Sequence, residues 1–120
     1  MNEDRHTHNI AVLMNEKEEF AYCPIFDNGA GLLADTKIDY SLGEDVYMLM
    51  RQAKAKTLCA DFDEQLDISE KISGENIQFH FSEQDVRELL ENVSGYSMEE
   101  KNRVKSIIYM QMKKYGYLFS

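Results

Sequence analysis

Between Asp4 and Asp27 the chain alternates loop and apolar run in a way that admits few folds. Ile10-Ala11-Val12-Leu13-Met14 and Phe20-Ala21-Tyr22-Cys23 flank the polar stretch Asn15-Glu16-Lys17-Glu18. Asp4-Arg5-His6-Thr7-His8-Asn9 lies outside the first run, and Pro24-Ile25-Phe26-Asp27-Asn28-Gly29 outside the second. Two short apolar runs around a polar turn predict a β-hairpin with an acidic loop at each open end. A four-residue turn at Asn15–Glu18 predicts the pairs Met14–Glu19, Leu13–Phe20, Ala11–Tyr22 and Ile10–Cys23. Paired strands lie about 4.8 Å apart, so Asn9 and Pro24 leave the hairpin side by side. One bend in each loop then brings Asp4, Asn9 and Asp27 to one point. Three hard oxygen groups at a hairpin mouth suit Mg²⁺, which takes one or two protein carboxylates and completes its shell with phosphate and water.

The pattern Asp4-x-His6-x-x-Asn9, then an apolar hairpin, then Phe26-Asp27-Asn28-Gly29 resembles the catalytic and metal-binding loops of the HipA-like kinases. It is similar, more distantly, to the lipid-kinase branch of the kinase-like fold. The resemblance implies that Asp4 acts as base, that Asn9 and Asp27 bind Mg²⁺ on ATP, and that His6 supports the loop by hydrogen bonding. The implied reaction is phosphoryl transfer to a Ser or Thr hydroxyl. Ordinary protein kinases use His-Arg-Asp-x-x-x-x-Asn and Asp-Phe-Gly. Their Asp-to-Asn offset of five is kept here, but the histidine follows the aspartate and Asn28 replaces the phenylalanine. The hydrophobic clasp of those enzymes is therefore expected to be absent. The matched motifs cover about the first quarter of the chain.

Only three residues precede Asp4, and all six glycines lie at position 29 or later. The sequence thus holds no Gly-rich loop, no Val-Ala-x-Lys strand and no αC glutamate, the parts that anchor ATP in kinases. It reads as the C-terminal part of a kinase-like core: a fragment, a truncated reading frame or one half of a split enzyme. The expected partner is a kinase N-lobe, in cis or in trans, and the chain alone is expected to be inactive. A binding or regulatory module that retains the C-lobe shape without chemistry is the competing expectation.

At 120 residues the length fits one domain, 1–120, with the loops and hairpin in 1–31 and a helical part in 44–120. The net charge of −9 repels nucleic-acid backbone and anionic membranes. The acidic start Met1-Asn2-Glu3-Asp4 lacks the basic region of a signal peptide. Cys23 and Cys59 form no Cys-x-x-Cys pair, which suits reduced thiols in a cytoplasmic protein. Cys23 is expected in the core beside Tyr22 and Ile25.

The rest of the chain predicts a mainly α (α+β) fold with an N-terminal β-hairpin followed by about four helices, and the resemblance implies that this is a kinase-like C-lobe. Ala30–Gly43 reads as a loop with a turn at Leu32-Leu33. Val46, Leu49, Met50 and Ala53 at helical spacing predict a helix over Glu44–Ala55. Thr57–Ala60 reads as an extended connector. Asp61 caps a predicted helix over Phe62–Ile72 that Gly74 ends. Ile77, Phe79 and Phe81 alternate, which predicts an extended segment over Asn76–Phe81. Ser82 and Ser97 each open a capping box, Ser82 with Asp85 and Ser97 with Glu100. The two helices that follow are expected to stop at Gly95 and Gly116, and Tyr117-Leu118-Phe119 to dock as an apolar tail.

Several features have ordinary structural readings. A zinc site begun by His6 and His8 with His80, Cys23 or Cys59 lacks the paired short-spaced ligands that such sites use on both arms. Asp61, Asp63, Glu64 and Asp67 lack an EF-hand glycine and spacing and read as a solvated helix face. The hairpin is apolar on both faces. One face is expected to pack on the helices and the other to pair with a second copy or a partner.

Overall fold

A computed structural model describes residues 1–56 and 59–120. These residues form a mainly helical domain with an N-terminal two-stranded antiparallel hairpin followed by four α-helices. The strands are β1 (Val12–Met14) and β2 (Phe20–Tyr22). The helices are α1 (Val46–Gln52), α2 (Phe62–Ser73), α3 (Glu83–Asn92) and α4 (Met98–Lys114). The connector over Thr57–Ala60 falls partly outside the described residues.

The hairpin forms, but its register differs from the expected one by a residue. Val12 pairs with Tyr22, Leu13 with Ala21 and Met14 with Phe20. Asn15 is the cause. Its carbonyl accepts from Glu18 N–H at 3.1 Å, and its N–H donates to the Glu19 carbonyl at 3.1 Å. Its side-chain oxygen also accepts from the N–H groups of Lys17 and Glu19, at 2.9 and 3.0 Å. These bonds tighten the turn to the three-residue type with a left-handed third residue, here Glu18 at φ 60. Residues directly opposite share a face. Val12, Met14, Phe20 and Tyr22 therefore lie on one face, and Leu13 and Ala21 on the other.

Neither face packs on a helix, contrary to expectation. Val12, Leu13, Met14, Phe20 and Tyr22 are all at least half exposed. Cys23 is half-buried and outside the core, because its neighbours Tyr22 and Ile25 face solvent. The chain measures 50 × 33 × 31 Å with a radius of gyration of 16.3 Å, against about 13.6 Å for a compact domain of this length. Its accessible surface is 9139 Å², where a compact monomer of this mass exposes about 6,700 Å².

The core lies between α1, α4 and the loop that precedes α1. Leu33, Tyr40, Leu49, Ala53 and Ile107 form it, with Met1, Leu32, Val46, Met50 and Phe62 packed around them. Asp45 caps α1 through Met48 N–H at 2.9 Å. The helix is shorter than predicted: Ala53 is already extended, and Ala55 N–H bonds the Ala60 carbonyl instead of continuing the helix. Asp61 caps α2, and Gly74 ends it at φ 74. Both serine capping boxes form, Ser82 with Asp85 and Ser97 with Glu100. Helix α3 stops at Asn92, before Gly95, because Val93 turns extended. Phe79 makes a single bridge to Phe119, and the rings of Phe79, Phe81 and Phe119 pack at 5.1 to 6.0 Å. The tail is docked through Leu118, which is buried, while Tyr117 is exposed.

The first residues are built into this body. Asn2 bridges Gly31, where a Cβ on Gly31 would meet the Asn28 carbonyl at 3.2 Å. Leu32 and Leu33 follow in the left-handed region at φ 54 and 56. Leucine adopts that conformation at a cost of roughly 1–2 kcal/mol per residue. Burial of Leu33 in the core and the Leu32 N–H bond to the Met1 carbonyl at 3.0 Å hold it.

Candidate functional site

The two acidic loops meet at the open end of the hairpin. The first forms a single 3₁₀ turn over Thr7–Asn9, closed by Asn9 N–H on the His6 carbonyl at 2.9 Å. That turn buries Asn9, which is 5% exposed. The Asn9 amide donates to Asp27 Oδ2 at 2.6 Å, and its Oδ1 accepts from His6 N–H at 3.3 Å. Asp27 is held at φ 56, a conformation that Asp tolerates better than most residues. The structure therefore brings Asn9 and Asp27 together across the hairpin mouth.

Arg5 is the residue that sequence reasoning missed. Its guanidinium donates to the Asn9 carbonyl at 3.2 Å, to the Phe26 carbonyl at 2.6 Å and to Asn28 Oδ1. It lies 3.5 Å from the Asp27 carbonyl as well. One planar donor group thus ties the first loop to the second, a task for which the fixed fork of arginine suits better than lysine. The only sequence signal was a cation between the two residues singled out, Asp4 and His6.

Asp4 and His6 are placed less tightly. Asp4 is half-buried, its N–H donates to Asn2 Oδ1 at 3.1 Å, and its carboxylate forms no hydrogen bond to Asn9 or Asp27. His6 supports the loop through its backbone, not its ring: Nδ1 is buried and has no hydrogen-bond partner among the described residues. The His6 and His8 rings stand edge to face at 5.5 Å. His8 is exposed.

Glu3, just before the loop, anchors it to the body. Its carboxylate accepts from the Tyr40 hydroxyl at 2.5 Å and from Lys54 N–H at 3.3 Å, and its carbonyl accepts from Lys56 N–H at 2.8 Å. Burial first, and then the Glu3 carboxylate, push the Tyr40 phenol well above the ordinary tyrosine range. Arg103 of α4 is buried and donates to the carbonyls of Tyr40, at 2.6 Å, and Ser41. A chain of contacts therefore runs from α4 through Tyr40 and Glu3 to the loop that carries Asp4 and Asn9.

The pair can be tested for fit to a hard divalent cation. Adjacent oxygens in an octahedral Mg²⁺ shell, each about 2.1 Å from the ion, lie about 3 Å apart. The Asn9 amide and the Asp27 carboxylate are already 2.6 Å apart. The amide nitrogen faces Asp27, so ligation requires a half-turn about the terminal amide torsion, which is soft. That turn gives up the long bond from His6 N–H and the 2.6 Å bond to Asp27, whose place the shared ion would take. The donor set, one carboxylate and one amide oxygen, fits Mg²⁺ that takes its other ligands from phosphate and water. Among the described residues no group of three or more His, Cys, Asp or Glu side chains gathers as a metal site. His80 instead contacts Ser120 at 2.7 Å and Cys59 contacts Glu64 at 3.0 Å.

The acidic cluster of α2 is occupied in holding the fold. Asp61 caps the helix, and Asp63 binds Lys114 Nζ at 2.7 Å and the Tyr115 hydroxyl. Lys114, then Tyr115, hold the Asp63 carboxyl below its usual range. No helix among the described residues is long and apolar enough to cross a membrane. No protein-family model, no curated protein and no solved structure matches the chain.

Proposed function

We propose that this chain is the metal-holding C-lobe part of a HipA-like phosphotransferase that acts on a Ser or Thr hydroxyl once a nucleotide-holding N-lobe joins it. The observation that carries the reading is the Asn9–Asp27 contact at 2.6 Å. It spans eighteen residues of sequence and an intervening hairpin, and Arg5 clamps both of its loops. Simple turn chemistry accounts for the local bond from His6 N–H to Asn9 Oδ1 but not for the contact with Asp27. In this reading Asn9 and Asp27 hold Mg²⁺, and Asp4 takes the proton of the acceptor hydroxyl while His6 shapes the loop between them. Held there by Asn9 and Asp27, Mg²⁺ would supply positive charge against the negative charge developing on the transferred phosphoryl group. Positioning and charge stabilisation dominate such catalysis, which is the work a clamped two-loop site does.

The chain alone is expected to bind MgATP in the millimolar range and to turn none over, since the lysine and the Gly-rich loop of a complete kinase are not in it. Titration of MgATP followed by amide chemical shifts tests the reading. Weak shifts confined to residues 4–9 and 26–31, and lost in Asp27→Ala, are expected. Steady ATP turnover by this chain alone, abolished by Asp27→Ala, would overturn the need for an N-lobe. MgATP shifts that ignore Asp27→Ala would overturn the site.

A second reading, a non-catalytic binding module, is favoured by one observation, the uncovered hairpin. The surface exceeds that of a compact monomer by about 2,400 Å², and a standard interface covers about 800 Å² on each partner. The face formed by Val12, Met14, Phe20 and Tyr22 contains no charge, so a second copy can meet it without like-charge contact despite the net −9. In this reading the chain is a homodimer through its hairpins.

A further inference from the structure

A cleft of about 1050 Å³ opens between the C-terminal ends of α1 and α4 and the start of α2. Its charge is opposite to that of the molecule. Arg51, Lys54, Lys113 and Lys114 line it, against Asp61 and Asp63, in a chain whose net charge is −9. The two carboxylates are already engaged. Asp63 binds Lys114 at 2.7 Å and the Tyr115 hydroxyl. Asp61 accepts from the N–H groups of Asp63 and Glu64 at 2.8 and 3.2 Å, and lies 3.8 Å from Lys54. That leaves two cations over. Among the described residues the Arg51 guanidinium lies 6.0 Å from the Tyr47 ring and meets no carboxylate, and Lys113 has neither an ion pair nor a hydrogen bond.

Part of this positive charge offsets the negative ends of α1 and α4, each roughly half an elementary charge. The two remaining cations exceed that offset, because the two helix ends together carry only about one negative charge. Between the cations the wall is apolar: Met50, Ala53, Phe62 and Met110. The volume matches the upper end of pockets that hold whole small molecules.

We infer that this cleft binds an organic anion with at least two negative charges and an apolar body. Arg51 on the α1 side and Lys113 on the α4 side hold the anionic groups, and the Met50–Phe62–Met110 surface takes the body. The anionic group is a phosphate ester or a dicarboxylate, both of which supply the charge and the acceptor oxygens. The cleft shares no residue with the Asn9–Asp27 pair, so this inference stands or falls apart from the proposed function.

The test is an amide chemical-shift titration of the chain with phenyl phosphate, phenylsuccinate and neutral benzyl alcohol. The two anions are expected to shift residues 47–54, 61–63 and 110–115, and binding is expected to weaken on going from low to physiological salt. Which anion binds more tightly identifies the anionic group. The double variant Arg51→Gln/Lys113→Gln is expected to weaken anion binding by about tenfold or more. The double variant Lys17→Gln/Lys71→Gln removes the same charge elsewhere and is expected to change it less than about twofold. Both pairs are exposed, so folding is retained and is checked by circular dichroism. Equal binding of benzyl alcohol, equal weakening by the two double variants, or no shifts at the cleft would each overturn the inference.

Discussion

Replacing Arg103 by leucine tests whether one long-range contact holds the loop region to the helical body. Arg103 is 7% exposed and donates to the carbonyls of Tyr40 and Ser41 from α4, more than sixty residues away in sequence. A hydrogen bond from a charged donor contributes roughly 1.5–3 kcal/mol. Leucine restores some apolar packing but leaves the buried Tyr40 carbonyl without a partner, at roughly 1–3 kcal/mol. The net expected loss is about 2–4 kcal/mol. With seven buried hydrophobic residues among those described, total stability belongs near the low end for this length, about 6 kcal/mol, so the variant loses about half of it. In a calorimetric scan that is a fall in melting temperature of about 10–20 °C. Lysine at 103 keeps one charged bond without the fork and is expected to lose about half as much. Urea denaturation followed by circular dichroism reads both, with hydrogen exchange of residues 38–42 reporting whether the loop loosens. A loss below about 0.5 kcal/mol for Arg103→Leu, typical of an inconsequential surface site, would refute the reasoning.

Tyr40 sets the alkaline limb of stability. Its folded pKa lies above its unfolded value through burial and Glu3, so its contribution is complete below about pH 10 and is lost as pH rises beyond that. Tyr40→Phe is expected to make stability fall less steeply above about pH 10, in denaturation midpoints measured across pH. At the acid end, Glu100 is held low by the Ser97 N–H and hydroxyl. Its contribution is present above the ordinary glutamate range and lost as pH falls through its lowered folded value. Glu100→Gln is expected to be less stable than the parent at neutral pH and to lose less stability on acidification. Phe20→Lys, on the exposed hairpin face, is expected to leave the melting temperature within a few degrees while abolishing dimers in light scattering. A monomeric parent at high micromolar concentration would count against the hairpin dimer.

The parts of the fold legible in the sequence were those fixed by neighbours in the chain. Asp61, Ser82 and Ser97 announce helix starts because each cap is satisfied within three residues, and Gly74 ends α2 because it takes a positive φ of 74 that glycine adopts at no steric cost. The hairpin was legible as a pattern but its register was not, because Asn15 decides it through side-chain bonds. The left-handed pair Leu32 and Leu33 contradicts local preference and exists because the core takes Leu33. One face was expected to stay uncovered by this chain; exposure of the other was missed because an apolar face seeks cover without saying that this chain supplies it. At the candidate site the meeting of Asn9 with Asp27 followed from hairpin geometry. The Arg5 clamp and the Arg103–Tyr40–Glu3 chain did not, since they join residues that no spacing rule relates.

The most direct measurement of the central claim uses Mn²⁺ in place of Mg²⁺ and reads paramagnetic broadening of amide resonances across the whole chain. The account predicts that substoichiometric Mn²⁺ broadens residues 6–9 and 26–28 first, that excess Mg²⁺ reverses the effect, and that Asp27→Ala removes it while Asp63→Ala does not. Broadening centred instead on the hairpin tip Glu16–Glu19 or on the start of α2, unchanged by Asp27→Ala, would contradict the account.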